Sequence, residues 1–127
     1  MAASQKKRIL LADDQEGLRR LVSVTLGPEE FEILHAGDGE ETLQVARAQR
    51  PHLILLDVAM PKLDGFQVLR QLKADPTMAS IPIIMLTATG NAQARNVARE
   101  LGAVDYFVKP FSPLTLLQRV HQLLQSP

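Results

Sequence analysis

Leu53-Ile54-Leu55-Leu56-Asp57 is a short apolar run closed by a carboxylate. A run of that length, bounded by turn residues, reads as a strand of a parallel sheet, buried on both faces. Three other runs end in the same way. Ile9-Leu10-Leu11-Ala12 leads into Asp13 and Asp14, Ile83-Ile84-Met85-Leu86 into Thr87, and Tyr106-Phe107-Val108 into Lys109. In an open parallel α/β sheet, ligands bind in the crevice outside the carboxyl ends of the strands. The pattern therefore places three carboxylates, a hydroxyl and a lysine on one sheet edge.

Amphipathic stretches separate these runs, as expected for successive βα units filling one α/β domain. The first helix is predicted to open near Asp14, with Leu18, Leu21, Val22 and Thr25 on its apolar face, and to stop at Gly27-Pro28. A strand over Glu32 to Ala36 follows. Asp38-Gly39-Glu40-Glu41 then reads as a capping box for a second helix, and Asp64-Gly65-Phe66-Gln67 as one for a third, with Phe66, Leu69 and Leu72 facing inward. Pro51 separates the second helix from the third strand, and Asp75-Pro76 ends the third helix. The fourth strand is expected over Ile81 to Leu86, with Pro82 near its start, where a missing N–H does least damage. A helix from Ala92 to Leu101 ends at Gly102, and Asp105 to Val108 forms the fifth strand. Ser112-Pro113 supplies an N-cap and a first-turn proline for a last helix, with Leu117, Val120 and Leu124 buried.

Composition narrows the chemistry. The 127 residues suffice for one domain with one proper core, and 46% hydrophobic with 22% charged residues is an ordinary globular balance. Fourteen basic against fourteen acidic residues give no net steering toward nucleic acid or an anionic membrane, so neither is an expected direct partner. The absence of cysteine removes disulfides, thiolate metal sites and cysteine nucleophiles, and fits a cytoplasmic location. Gln5-Lys6-Lys7-Arg8 is followed by too short an apolar run for a secretion signal, and no stretch is long enough to span a membrane. His35, His52 and His121 have no metal-ligand spacing.

Two carboxylates about 4 Å apart repel by roughly 4 kcal/mol at an effective dielectric near 20, so three cannot all stay ionised without a cation or a raised pKa. Oxygen donors of this kind suit Mg²⁺, which keeps several waters and favours phosphate as a co-ligand. Lys109 adds a mobile positive charge for the same phosphate and Thr87 a hydroxyl donor. A carboxylate can itself attack phosphorus and form an aspartyl-phosphate. Taken singly, each residue has an ordinary role: Asp14 as a helix N-cap (alone, the better reading), Asp57 in a turn, Thr87 at a strand end, Lys109 in solvent. The conjunction on one edge favours a site.

Over nearly its whole length the chain resembles the receiver domain of two-component response regulators. The resemblance rests on Ile9 to Asp14, on Leu55-Leu56-Asp57-Val58-Ala59-Met60-Pro61-Lys62-Leu63-Asp64-Gly65, on Pro82 to Ala88, and on Gly102 to Phe111. It implies a doubly wound, flavodoxin-like five-stranded parallel sheet in the order 2-1-3-4-5, an order quoted for the family's chemotaxis regulator and carried over from it. It implies one receiver domain over residues 1–127, with an ordered core from about residue 7 to residue 125. By the same resemblance, Asp57 would accept phosphate from the phosphohistidine of a sensor histidine kinase or histidine phosphotransfer protein. Asp13 and Asp14 would hold Mg²⁺ together with Asp57 and the backbone carbonyl of Ala59, and Thr87 and Lys109 would contact the phosphoryl group. Tyr106 would be an aromatic switch that turns inward as Thr87 moves, although a half-buried strand aromatic explains it equally well from sequence. The Lys109-Pro110 bond would be cis. The response would reach the surface near Gln93, Val97, Tyr106 and His121, for a downstream effector or the protein's own output domain.

Two departures accompany the resemblance. Val104 stands where the winged-helix DNA-binding subclass carries an aspartate that helps pair two receivers, so that pairing mode loses a contact. No output domain follows the last helix within the 127 residues, as expected of a stand-alone receiver or an excised one. The alternative is a magnesium-dependent phosphohydrolase working through an aspartyl-phosphate. Such enzymes carry a general-acid aspartate two residues after the nucleophile, where this chain has Ala59, and a cap domain this chain lacks. Rather than turning over a substrate, the chain is expected to catalyse only its own phosphorylation and dephosphorylation. A degenerate receiver, binding without phosphorylation, is disfavoured by the intact acidic and basic positions.

Overall fold

Side chains alternating along each strand divide the core into two separate clusters. Leu10, Ala12, Ile54, Leu56, Ile83 and Met85 point to one side of the sheet, and Ile9, Leu11, Leu53, Leu55, Ile84 and Leu86 to the other. The computed structural model describes residues 6–88 and 90–124. The elements are β1 (Lys7–Ala12), α1 (Glu16–Leu26), β2 (Phe31–Ala36), α2 (Gly39–Gln49), β3 (Leu53–Asp57), α3 (Gly65–Ala74), β4 (Ile83–Thr87), α4 (Ala92–Glu100), β5 (Asp105–Val108) and α5 (Pro113–Leu124). All strand pairs are parallel, in the order β2-β1-β3-β4-β5. Helices α2, α3 and α4 cover one face through Leu43, Ala46, Val68, Leu69, Leu72 and Ala98. Helices α1 and α5 cover the other through Val22, Leu26, Leu116 and Val120. This is the doubly wound α/β arrangement expected from the strand pattern.

Several details differ from the sequence reading. Helix α1 begins at Glu16, two residues past Asp14, with Gln15 at its N-cap and no side-chain cap, so Asp14 is not the capping residue. Its buried positions are Val22 and Leu26, whereas Leu21 is 52% exposed because it lies beside the stripe rather than on it. Strand β2 starts at Phe31, which is buried. The α3 capping box forms as expected between Asp64 and Gln67. In α2 the box is shifted: Asp38 accepts from Glu41 N at 2.8 Å, but the Glu41 carboxylate accepts from Gly37 N at 2.7 Å, one residue earlier. Strand β4 begins at Ile83; the Pro82 carbonyl, just before it, already accepts from Ile54 N at 3.1 Å. Helix α5 is capped by Ser112, whose hydroxyl accepts from Thr115 N at 3.2 Å, and it buries Leu116 more deeply than Leu117. His121 faces Glu30 at 3.2 Å and the Phe31 ring at 5.7 Å, so it belongs to the α1 side and not to the surface around Tyr106. The Lys109-Pro110 bond is cis. Gln125, the last residue of the expected core, lies outside the described residues, as does position 89 in the loop after Thr87.

Candidate functional site

Parallel register brings the strand ends level. Ala12 pairs with Leu56, Asp57 with Leu86, and Thr87 with Val108, so the residues at or just past these ends meet on one edge. The backbone continues the ladder beyond the strands: Asp13 N donates to Ala36 O at 3.0 Å, Val58 N to Leu86 O at 2.9 Å, and Lys109 N to Thr87 O at 2.7 Å. These bonds fix the backbone at the strand ends, where the candidate site residues lie. Asp13, Asp57 and Thr87 are all buried, at 0%, 3% and 2% exposure. Asp14 is exposed at the rim.

One carboxylate oxygen from each of Asp13, Asp14 and Asp57 lies within 4.8 Å of the other two. Lys109 Nζ crosses the cluster, 2.8 Å from Asp13 Oδ2 and 3.2 Å from Asp57 Oδ1, with Gln15 Oε1 at 3.4 Å. Three carboxylates thus face one ammonium. Burial, followed by the Asp13 charge, pushes the Asp57 carboxyl from 3.8 up to about 6, against the opposing pull of Lys109. Burial would lower Lys109, but its hydrogen bond and attraction to Asp13, with help from Asp57, leave the ammonium raised.

The donor set fits a hard divalent cation. It offers only oxygens, it is short of positive charge, and one donor, Asp14, opens to solvent, where an ion could retain water. Both Asp13 oxygens already accept hydrogen bonds, from Gln15 N at 2.9 Å and Lys109 Nζ at 2.8 Å, yet each carboxylate oxygen has a second lone pair. Ala59 lies exposed in the β3–α3 loop, two residues past Asp57. That loop turns sharply: Lys62 has φ 73°, Gly65 N donates to Val58 O at 2.7 Å, and a Cβ on Gly65 would stand 2.3 Å from Asp57 O. Only glycine fits so close to the backbone that carries Asp57.

Tyr106 is not in this cluster. It sits half-buried on β5, packed against the α2–α4 core, with the Arg95 guanidinium 5.4 Å from its ring centroid. Two residues near the cluster escaped the sequence reading. Gln15 holds Asp13 Oδ1 through its backbone N–H, and Arg19 donates from Nη1 to the Asp13 carbonyl. The available signal was directional, because a helical side chain leans toward the preceding turn, and Arg19 lies one turn inside α1.

The family model for the response regulator receiver domain matches residues 9–121. A probable transcriptional regulator, ycf27, of Cyanophora paradoxa is 46% identical over 120 residues, covering 94% of this chain and 49% of that protein. The alkaline phosphatase synthesis transcriptional regulatory protein PhoP of Bacillus subtilis is 42% identical over 119 residues, again covering 94% of this chain and 49% of that protein. This chain spans about half the length of these curated relatives. Among solved structures, the chemotaxis response regulator CheY4 of Vibrio cholerae superposes with a TM-score of 0.87 at 32% identity, over 94% of this chain and 100% of that one.

Proposed function

The chain belongs to the response regulator receiver domain family and has its phosphoryl-accepting signalling role, and on that premise we propose that Asp57 is the phosphoacceptor. The observation that carries the proposal is the placement of Asp57. It is a buried strand-end carboxylate with Lys109 Nζ at 3.2 Å and two further carboxylates within ligand reach.

In the proposed reaction one Asp57 oxygen attacks phosphorus in line with the leaving nitrogen of a phosphohistidine. The P–N bond breaks, imidazole departs with the electron pair, and an acyl phosphate remains on Asp57. Lys109 Nζ, already beside Asp57, compensates charge on the transferring oxygens, and the Thr87 hydroxyl is the proposed donor to one of them. Asp13, Asp14, Asp57 and the Ala59 carbonyl are the proposed holders of Mg²⁺, which when bound supplies positive charge against the developing phosphoryl charge. With Ala59 two residues past Asp57, where a phosphohydrolase of this kind would carry a general-acid aspartate, the acyl phosphate serves as a stored signal, and the chain's own chemistry is limited to gaining and losing it.

The proposed donor is a sensor histidine kinase or histidine phosphotransfer protein, and the proposed receiver of the signal is a downstream effector or an output domain of the same protein. Names of relatives such as transcriptional regulator support the second option. Among the described residues no helix is long and apolar enough to cross a membrane, and the cytoplasm is the proposed place of action. We take Tyr106 as the reporter of phosphorylation, since it flanks the Thr87 strand in register (Met85 opposite Tyr106).

The test is incubation with Mg²⁺ and acetyl phosphate followed by intact-mass measurement. A single labile phosphoryl adduct is expected on the wild type and none on Asp57→Asn. Stable incorporation at the wild-type level in that variant would remove Asp57 from the role.

A further inference from the structure

Asp13 is gripped at four polar atoms. Its N–H donates to Ala36 O at 3.0 Å, Oδ1 accepts from Gln15 N at 2.9 Å, Oδ2 accepts from Lys109 Nζ at 2.8 Å, and its carbonyl accepts from Arg19 Nη1. The first three grips come from the sheet, the helix start and the phosphate-facing lysine. The fourth comes from a side chain outside the acidic cluster that the proposed phosphotransfer does not use.

That fourth contact compensates for a missing one. Helix α1 opens without a side-chain cap, because Gln15 at its N-cap makes no capping bond. The Asp13-Asp14-Gln15 turn is held instead by the Asp13 carboxylate from within and by Arg19 from one turn along. Arg19 is committed to this position: its Nε is buried without a hydrogen-bond partner among the described residues, a costly placement for a guanidinium. Gly37 lies alongside, where an added Cβ would stand 3.5 Å from Arg19 Nη1.

We propose that Arg19 is a positioning residue for the divalent-cation site, fixing the Asp13–Asp14 backbone so that the exposed Asp14 carboxylate faces Asp57. The proposal rests on the reading of the three aspartates as a cation site. Its sign separates it from simple alternatives. As a bare charge near the site, the guanidinium repels a divalent cation, so its removal would tighten binding. As a clamp on the ligand-bearing backbone, its removal loosens binding. As scaffold only, its removal lowers the melting temperature and leaves cation affinity alone.

The experiment is a Mg²⁺ titration of the full chain, read by amide chemical shifts, for wild type, Arg19→Ala, Arg19→Lys and Asp14→Ala. Supporting groups behind metal ligands typically contribute about 10–100-fold to affinity, so Arg19→Ala is expected to weaken Mg²⁺ binding about tenfold. Arg19→Lys, which keeps a donor and the charge, should recover most of that loss. With acetyl phosphate as donor, the change should appear as a higher half-saturating Mg²⁺ concentration rather than a lower plateau rate. Unchanged or tighter Mg²⁺ binding in Arg19→Ala overturns the proposal while leaving the cation site standing. If the wild type and Asp14→Ala respond identically to Mg²⁺, the cation site fails and the role of Arg19 fails with it. Should Arg19→Ala not fold, Arg19→Met, which keeps the stem but no donor, replaces it: weaker binding than in Arg19→Lys supports the clamp, and equal binding overturns it.

Discussion

Lys109 Nζ lies 2.8 Å from Asp13 Oδ2, a contact between residues 96 apart in the chain. Asp13 is fully buried and the Lys109 side chain is only 18% exposed, so this pair is poorly screened. The same ammonium also reaches Asp57, which makes it the one cation among the described residues within 4 Å of both buried carboxylates.

Replacing Lys109 with methionine keeps most of the side-chain volume and strands two buried carboxylates without their cation. The expected loss is about 2–4 kcal/mol of unfolding free energy near neutral pH without divalent metal. Urea unfolding followed by circular dichroism measures it. Added Mg²⁺ should recover part of the loss, because anything that binds the folded state alone stabilises it. A change within about 0.5 kcal/mol would place the pair with ordinary surface ion pairs.

Asp57 predicts a pH signature of the opposite sense. Its folded-state value is raised from 3.8 to about 6, so the folded protein binds that proton more tightly than the unfolded chain. The Asp57 charge therefore costs stability above about pH 6, and the cost disappears as pH falls toward 4. Asp57→Asn should be more stable than wild type by about 1–3 kcal/mol at pH 7.5 in chelator, with the two curves converging on acidification through that window. Parallel curves across the window would show that Asp57 carries no burial penalty.

Gly65 and Gly17 should respond oppositely to alanine. At Gly65 the new Cβ would stand 2.3 Å from Asp57 O and 2.8 Å from Val58 Cα, which are backbone atoms with nowhere to go. Gly65→Ala should cost about 1–3 kcal/mol or more and slow phosphorylation by displacing Asp57. At Gly17, inside α1, no atom lies within 4 Å, and alanine should add about 0.4–1 kcal/mol. Thermal melts of the two variants decide it; equal destabilisation by both would contradict the packing described around Gly65.

The strands were legible because a parallel sheet covered on both faces demands near-continuous apolar runs, and the runs ending at Asp57 and Thr87 have no competing reading at that length. Helix faces were less legible. Leu21 and Val22 are adjacent in sequence, and periodicity alone did not say that the stripe runs through Val22 and Leu26. In α5 the same ambiguity favoured Leu117 over Leu116, which is the one fully buried. The acidic edge was readable because strand ends locate it. Asp14 was ambiguous because an aspartate there serves equally as a cap, and its solvent-facing position beside the cluster appears only when the helix start is placed. Arg19 was invisible for a different reason: its partner is a backbone carbonyl, which every residue has and no sequence pattern marks.

The five strands form a partition as well as a scaffold. Thr87 shares the parity of Ile83 and Met85, and Met85 lies opposite Tyr106, so Thr87 and Tyr106 stand on the same side of the wall. Phe107 and Leu116 are packed behind it with α1 and α5. If Thr87 moves in the proposed phosphorylation, its side chain presses first on one layer, the layer of Met85, Ala98 and Tyr106, with the thickness of the sheet between it and the other. The proposed event at a shared edge would then acquire a handedness, set by whether a residue number on β4 is odd or even.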